Sequence, residues 1–174
     1  IVANFRCSSP GVANVWMRDT WDDTGLQPDP ATAGQAMWQS PYIWIRNSAQ
    51  DPTFQHQHEH ENPSTGIPNW IYVKLHNGGV ANDGNLEIYY AAASLSLTWP
   101  AAWTLLTTVP VNINAASTRI VEIPWNSLPG EGHYCMIARW SSSADPVGAE
   151  TADIGANTRQ NNNIVWRNLN IVAM

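Results

Sequence analysis

Asn69-Trp-Ile-Tyr-Val-Lys-Leu-His-Asn77 decides the fold class. Ile71, Val73 and Leu75 fall on one side of an extended chain, and Trp70, Tyr72, Lys74 and His76 on the other. That period of two is the signature of a strand. Asn77-Gly78-Gly79 follows, turn chemistry that predicts a chain reversal with a positive φ.

The same text continues outward. Short apolar runs at 41–47, 84–92, 103–109, 117–124, 132–140 and 163–172 are separated by turn residues such as Asn82-Asp83-Gly84, Pro129-Gly130 and Asn161–Asn163. No stretch sustains a period of 3.6, and Pro100 limits 91–106 to one helical turn. Together with the first strand these runs predict an all-β, antiparallel immunoglobulin-like β-sandwich of about seven to eight strands over 41–174. Residues 1–40 read as an irregular N-terminal extension. Within it, Ile1, Ala3, Phe5 and Cys7 alternate and suggest one strand able to pair with this chain or a neighbour.

Composition narrows the function. Hydrophobic residues make up 44% of the chain, enough for a core, while charged residues are only 13%, which suits an extracellular surface kept soluble by Asn, Ser, Thr and Gln. A formal net charge of -6 argues against nucleic acid, and no apolar run is long enough to span a membrane. The chain opens on Ile1-Val2, as a processed chain or an excised fragment would. Cys7 and Cys135 are the only cysteines. A bridge between them would stabilise by on the order of 4–5 kcal/mol by closing a long loop. The alternative is a buried thiol at Cys135.

Four motifs in order carry a family resemblance: Ile71 to Gly79, Leu86-Glu-Ile-Tyr-Tyr90, Gly132-His133-Tyr134 running to Arg139-Trp140, and Asp145-Pro146 leading to Asn161-Asn162-Asn163. This order resembles the CARDB-type bacterial domains over roughly residues 66–172. The stretch 91–116 is longer and richer in Trp than the family pattern, and residues 1–65 have no counterpart in it. The resemblance implies an immunoglobulin-like sandwich, a secreted setting and a role in adhesion or binding to a protein or glycan at the cell surface. It implies no catalytic residue.

Several clusters carry chemistry of their own. His56, His58 and His60 lie on one side of an extended chain, an arrangement able to offer imidazoles to a transition metal; a polar surface loop is the simpler alternative. His56, His58, Glu61 and His133 also map loosely onto a cupin metal set. Asp19, Asp22 and Asp23, with Asp29, suit calcium or simply a solvated acidic loop. Among the tryptophans, Trp44, Trp125, Trp140 and Trp166 read as core. Trp99 and Trp103, beside Pro100, read as surface rings able to stack on a ligand. There is no Gly-x-Ser-x-Gly elbow, Walker loop or Rossmann glycine pattern. The expectation is a non-enzymatic binding or adhesion module without an obligatory cofactor. A self-assembling subunit, a carbohydrate-binding accessory domain and a cupin-like metalloenzyme are the alternatives.

Overall fold

The computed structural model describes residues 11–29, 36–51, 59–94 and 97–174. Two antiparallel four-stranded sheets pack face to face, as the alternation predicts. The strands are β1 (Val15–Trp16), β2 (Ile43–Arg46), β3 (Trp70–Asn77), β4 (Asn82–Ala92), β5 (Thr104–Ile113), β6 (Ser117–Pro124), β7 (Gly132–Ser141) and β8 (Ile164–Ile171). One short helix, α1 (Ile154–Gln160), precedes β8.

The first sheet is built around β3. Strand β6 pairs along the whole of β3, from Trp70↔Pro124 to Asn77↔Ser117. The other edge of β3 is shared: β2 pairs with residues 70–73, and β1 with His76 and Asn77. The second sheet runs β5-β4-β7-β8.

The inner faces meet as the sequence pattern requires. Ile71, Val73 and Leu75 from β3, Leu86 and Ile88 from β4, and Met136, Ala138 and Trp140 from β7 are buried in one cluster. Removing a ring such as Trp140 from it would cost about 3–5 kcal/mol. Gly84 makes room for that ring: a Cβ there would stand 2.5 Å from Trp140 Cζ2.

The alternate residues of β7, Cys135 and Ile137, face the other way. They form a second cluster with Ala91, Trp99, Trp103, Ile154 and Ile164. Helix α1 therefore covers the outer face of the second sheet. Its start is fixed by Asp153, whose side chain accepts hydrogen bonds from the Gly155 and Ala156 amides. The helical turn allowed near Pro100 also forms, with Ala102 N donating to Thr98 O at 2.9 Å.

Two local expectations are corrected. The Asn77-Gly78-Gly79 turn forms, but neither glycine is among those with positive φ. Space sets the requirement instead: a Cβ on Gly79 would lie 1.9 Å from Val12 O. The Asn77 side chain holds the turn, accepting from Gly79 N and donating to Val80 O and Asn114 O. The second correction concerns Trp99 and Trp103. Both are 8% exposed, because α1 folds over the connection that carries them. The exposed indoles are Trp21 and Trp38. Trp44, Trp125 and Trp140 are fully buried, and Trp166 is partly so.

Of the N-terminal stretch, residues 15–16 pair with β3, and Val15 and Met17 reach the main core. Residues 1–7, with their expected strand and the Cys7 end of the expected bridge, lie outside the described residues. The Cys135 thiol is buried and donates to Asn168 Oδ1 at 3.1 Å. Burial pushes its pKa up.

Candidate functional site

Two groups of polar residues flank β8, and their charges are opposite.

The first lies in the loop after β1. Asp23 accepts from Asp19 N and Gly25 N, at 2.9 and 2.7 Å, folding residues 19–25 around its carboxylate. Gly25 has φ +81°, and a Cβ there would stand 2.6 Å from the Trp16 ring, so only glycine fits. Further along, Asp29 N donates to Arg159 O at the end of α1. Hydrogen bonds to the Asn162 backbone and side chain, from Met17 N and Gln27 Nε2, dock the loop on the lead-in to β8.

Asp19, Asp23 and Asp29 thereby converge. One carboxylate oxygen from each lies within 4.8 Å of the other two, and the three residues are 2%, 2% and 6% exposed. Burial, reinforced by the neighbouring carboxylates, holds the Asp19 pKa well above its ordinary value. Burial likewise raises Asp23 to about 6, against the pull of its two backbone hydrogen bonds. Asp22, grouped with them in the sequence, is exposed and outside the triad. The turn closed by Asp23 N donating to Thr20 O directs it away.

The second group surrounds an open pocket of about 470 Å³, lined by Trp38, Gln39, His60, Asn62, His133 and residues 167–170. Trp38 is 45% exposed and leans on Trp166, with ring centroids 6.1 Å apart. Arg167 Nη1 donates to the carbonyls of Ser40 and Ile43. Its buried Nε has no acceptor, and Arg167 forms no ion pair, among the described residues. Burial lowers its pKa to about 10, which leaves it charged at neutral pH.

Its neighbours are donors too. His60 Nδ1 accepts from Ile45 N, and burial together with the charge of Arg167 lowers the His60 pKa to about 3. The neutral ring then carries its proton on Nε2. Asn168 Oδ1 accepts from both Trp166 Nε1 and Cys135 Sγ, so its NH2 group remains as the donor. A second pocket of about 390 Å³ shares His133 and Asn168 and extends toward Ser94, Leu97 and Trp166.

The expected histidine sites fare differently. His56 and His58 lie outside the described residues. In His60 one nitrogen is engaged by a backbone amide and the other is protonated, so neither offers a lone pair to a metal. Glu61 of the loose cupin set is held by Asn47 N at 2.7 Å and Arg46 Nε at 3.4 Å. His133 is exposed and lines both pockets. Sequence reasoning passed over Arg167 and Trp38. A lone arginine inside the apolar run 163–172 was the available signal.

No family model matches the chain, and no curated protein matches it. Solved structures do. The CARDB domain of a Pyrococcus furiosus protein, in complex with di-metal ions, is similar over 76% of this chain and 93% of that one, at 14% identity and a TM-score of 0.46. AsqI, solved with Zn, is similar over 94% of this chain, at 9% identity and a TM-score of 0.55. A crustacean hemolymph prophenoloxidase is similar over 62%, at 9% identity and a TM-score of 0.50. This chain spans 40% of AsqI and 25% of the prophenoloxidase chain. The likeness is one of fold. Among the described residues no helix is long and apolar enough to cross a membrane.

Proposed function

We propose that the chain is a non-enzymatic binding module of an exported bacterial protein, and that it takes an acidic glycan in the pocket beside Trp38. One observation carries this reading: an exposed indole stands in a pocket with a charged arginine that has no carboxylate partner among the described residues. Arginine pairs with a carboxylate in a two-pronged geometry that lysine lacks. An indole offers a large, rigid apolar face with a polar edge, which suits a sugar ring carrying hydroxyls. The remaining polar groups fit the same ligand. His60 Nε2 and the Asn168 NH2 donate, and a ligand rich in hydroxyl and carboxylate oxygens accepts. The adjoining second pocket gives a polymer room to continue.

The experiment is electrophoresis of the chain through gels containing polyuronate or a neutral polysaccharide. Retardation in the polyuronate gel, lost in Trp38→Ala without a change in Tm, is the expected result. Equal mobility in every gel would remove the glycan reading. Release of new reducing ends from the polymer would remove the non-enzymatic one.

A further inference from the structure

We infer that Asp19, Asp23 and Asp29 form a binding site for a divalent, oxygen-preferring cation of calcium's size, which clasps the loop after β1 to the end of α1. Two separate observations support it. The first is the convergence itself, with three buried carboxylates offering oxygens within 4.8 Å of one another. Calcium binds oxygen at 2.3–2.6 Å, so two ligands on opposite sides of the ion stand about 5 Å apart. The spacing therefore accommodates calcium without drawing the backbone together. All three ligands are carboxylates, the chemistry of a hard ion and not of zinc or copper.

The second observation is an unsatisfied atom. Asp19 is 2% exposed, and its Oδ1 has no hydrogen-bond donor among the described residues. A buried polar atom without a partner is costly and rare, and an ion is one of the few explanations for it. The charges of Arg159 and Arg18 act on Asp19 and Asp23, yet among the described residues neither aspartate forms an ion pair.

The geometry also says what the ion would do. Asp19 and Asp23 belong to the turn folded around the Asp23 carboxylate, whereas Asp29 is anchored to Arg159 O. A shared ion links these two anchor points and stabilises the docked loop by mass action.

The test starts with chelator-treated full chain, titrated with calcium by calorimetry and by thermal melting. One calcium per chain and a Tm rise of roughly 5–10 °C at about a hundred times Kd are expected. Asp19→Asn and Asp29→Asn should each weaken binding at least about tenfold, while Asp22→Asn leaves it unchanged. If either variant fails to fold, terbium added to the wild-type chain supplies an independent reading. Trp16 packs against Gly25 beside the site, so excitation of tryptophan should give terbium emission that calcium quenches. Absence of heat and of any Tm change up to about 10 mM calcium, above the weak range of extracellular calcium modules, overturns the proposal. So does calcium binding that survives in the Asp19→Asn, Asp29→Asn double variant, or tighter binding of zinc than of calcium.

Discussion

The two sites along β8 bury charge in opposite senses and have different ways to relieve it. At the acidic site, Asp19 and Asp23 have raised pKa values, so protons can replace some of the negative charge. At the pocket, Arg167 keeps its charge at neutral pH even though burial lowers its pKa to about 10. Among the described residues its cost is offset by the carbonyls of Ser40 and Ile43, and beyond them by whatever anion approaches. The acidic loop can thus persist in a neutralised form, whereas the pocket carries a standing demand for an acceptor. A buried acid cluster and a buried arginine are not mirror images, because only one of them can titrate near neutrality.

Separating the two ends of β8 by mutation should show this asymmetry. Asn163 belongs to the acidic end, with Nδ2 donating to Val15 O and to Asp145 Oδ2. Asn163→Leu strands Val15 O and takes one of two donors from Asp145 Oδ2, which keeps Val15 N at 2.6 Å, and should lower stability by about 3 kcal/mol, read as a lower urea midpoint with an unchanged m-value. Glycan retardation by the folded variant should remain; its loss would mean the two ends are coupled.

Acid should strike the histidines. Burial and nearby cations lower His60 to about 3 and His76 to about 4, both below the ordinary 6.5. Between about 6.5 and those values the unfolded chain binds the extra protons, so stability is full above pH 6.5 and falls as pH drops. The histidines' share of this is a loss of about 2–4 kcal/mol by pH 4, discounted for the part-exposed His76, and it should shrink in His60→Gln. Asp19 and Asp23, whose folded pKa values are raised, act in the opposite sense over the same window, so the histidine effect is read as a difference between variants: parallel wild-type and His60→Gln profiles from pH 7 to 4 would contradict the His60 placement.

Arg167→Met removes the charge with little change in bulk. The two lost hydrogen bonds to backbone carbonyls should cost about 1–2 kcal/mol, and polyuronate retardation should vanish. Calcium-dependent melting should be unaffected. The smallest effect belongs to Asp22→Asn, an exposed substitution expected to change stability by less than about 0.5 kcal/mol.

The strand pattern was legible because it is local. The run 117–124 matches β6 end to end, and 69–77, 84–92 and 132–140 match β3, β4 and β7 to within two residues. What escaped depends on distant partners. Two residues of β1 carry no periodicity, and they are a strand only because β3 lies beside them. Helix α1 has seven residues, too few for a period to show. Trp99 and Trp103 were misplaced for the same reason, since Ile154 of the helix that helps bury them comes some fifty positions later. In the acidic cluster, the sequence groups Asp22 with Asp19, Asp23 and Asp29, and folding leaves Asp22 out. A tight turn sends neighbouring side chains apart, and the contact with Arg159 bridges the length of the sandwich sequence.

One feature of the first sheet bears on how such a site could arise. Strands β1 and β2 lie along the same edge of β3, and Tyr42 O still accepts from Lys74 N just ahead of β2. The chain leaves that edge after Trp16 and rejoins it at Tyr42, so the acidic residues sit on an excursion interrupting what is in effect one strand. Closing a loop between fixed ends costs entropy that grows only logarithmically with its length. The excursion can therefore lengthen, shorten or exchange its contents while the register against β3 stays fixed. It is a cassette, and the sandwich around it is the socket.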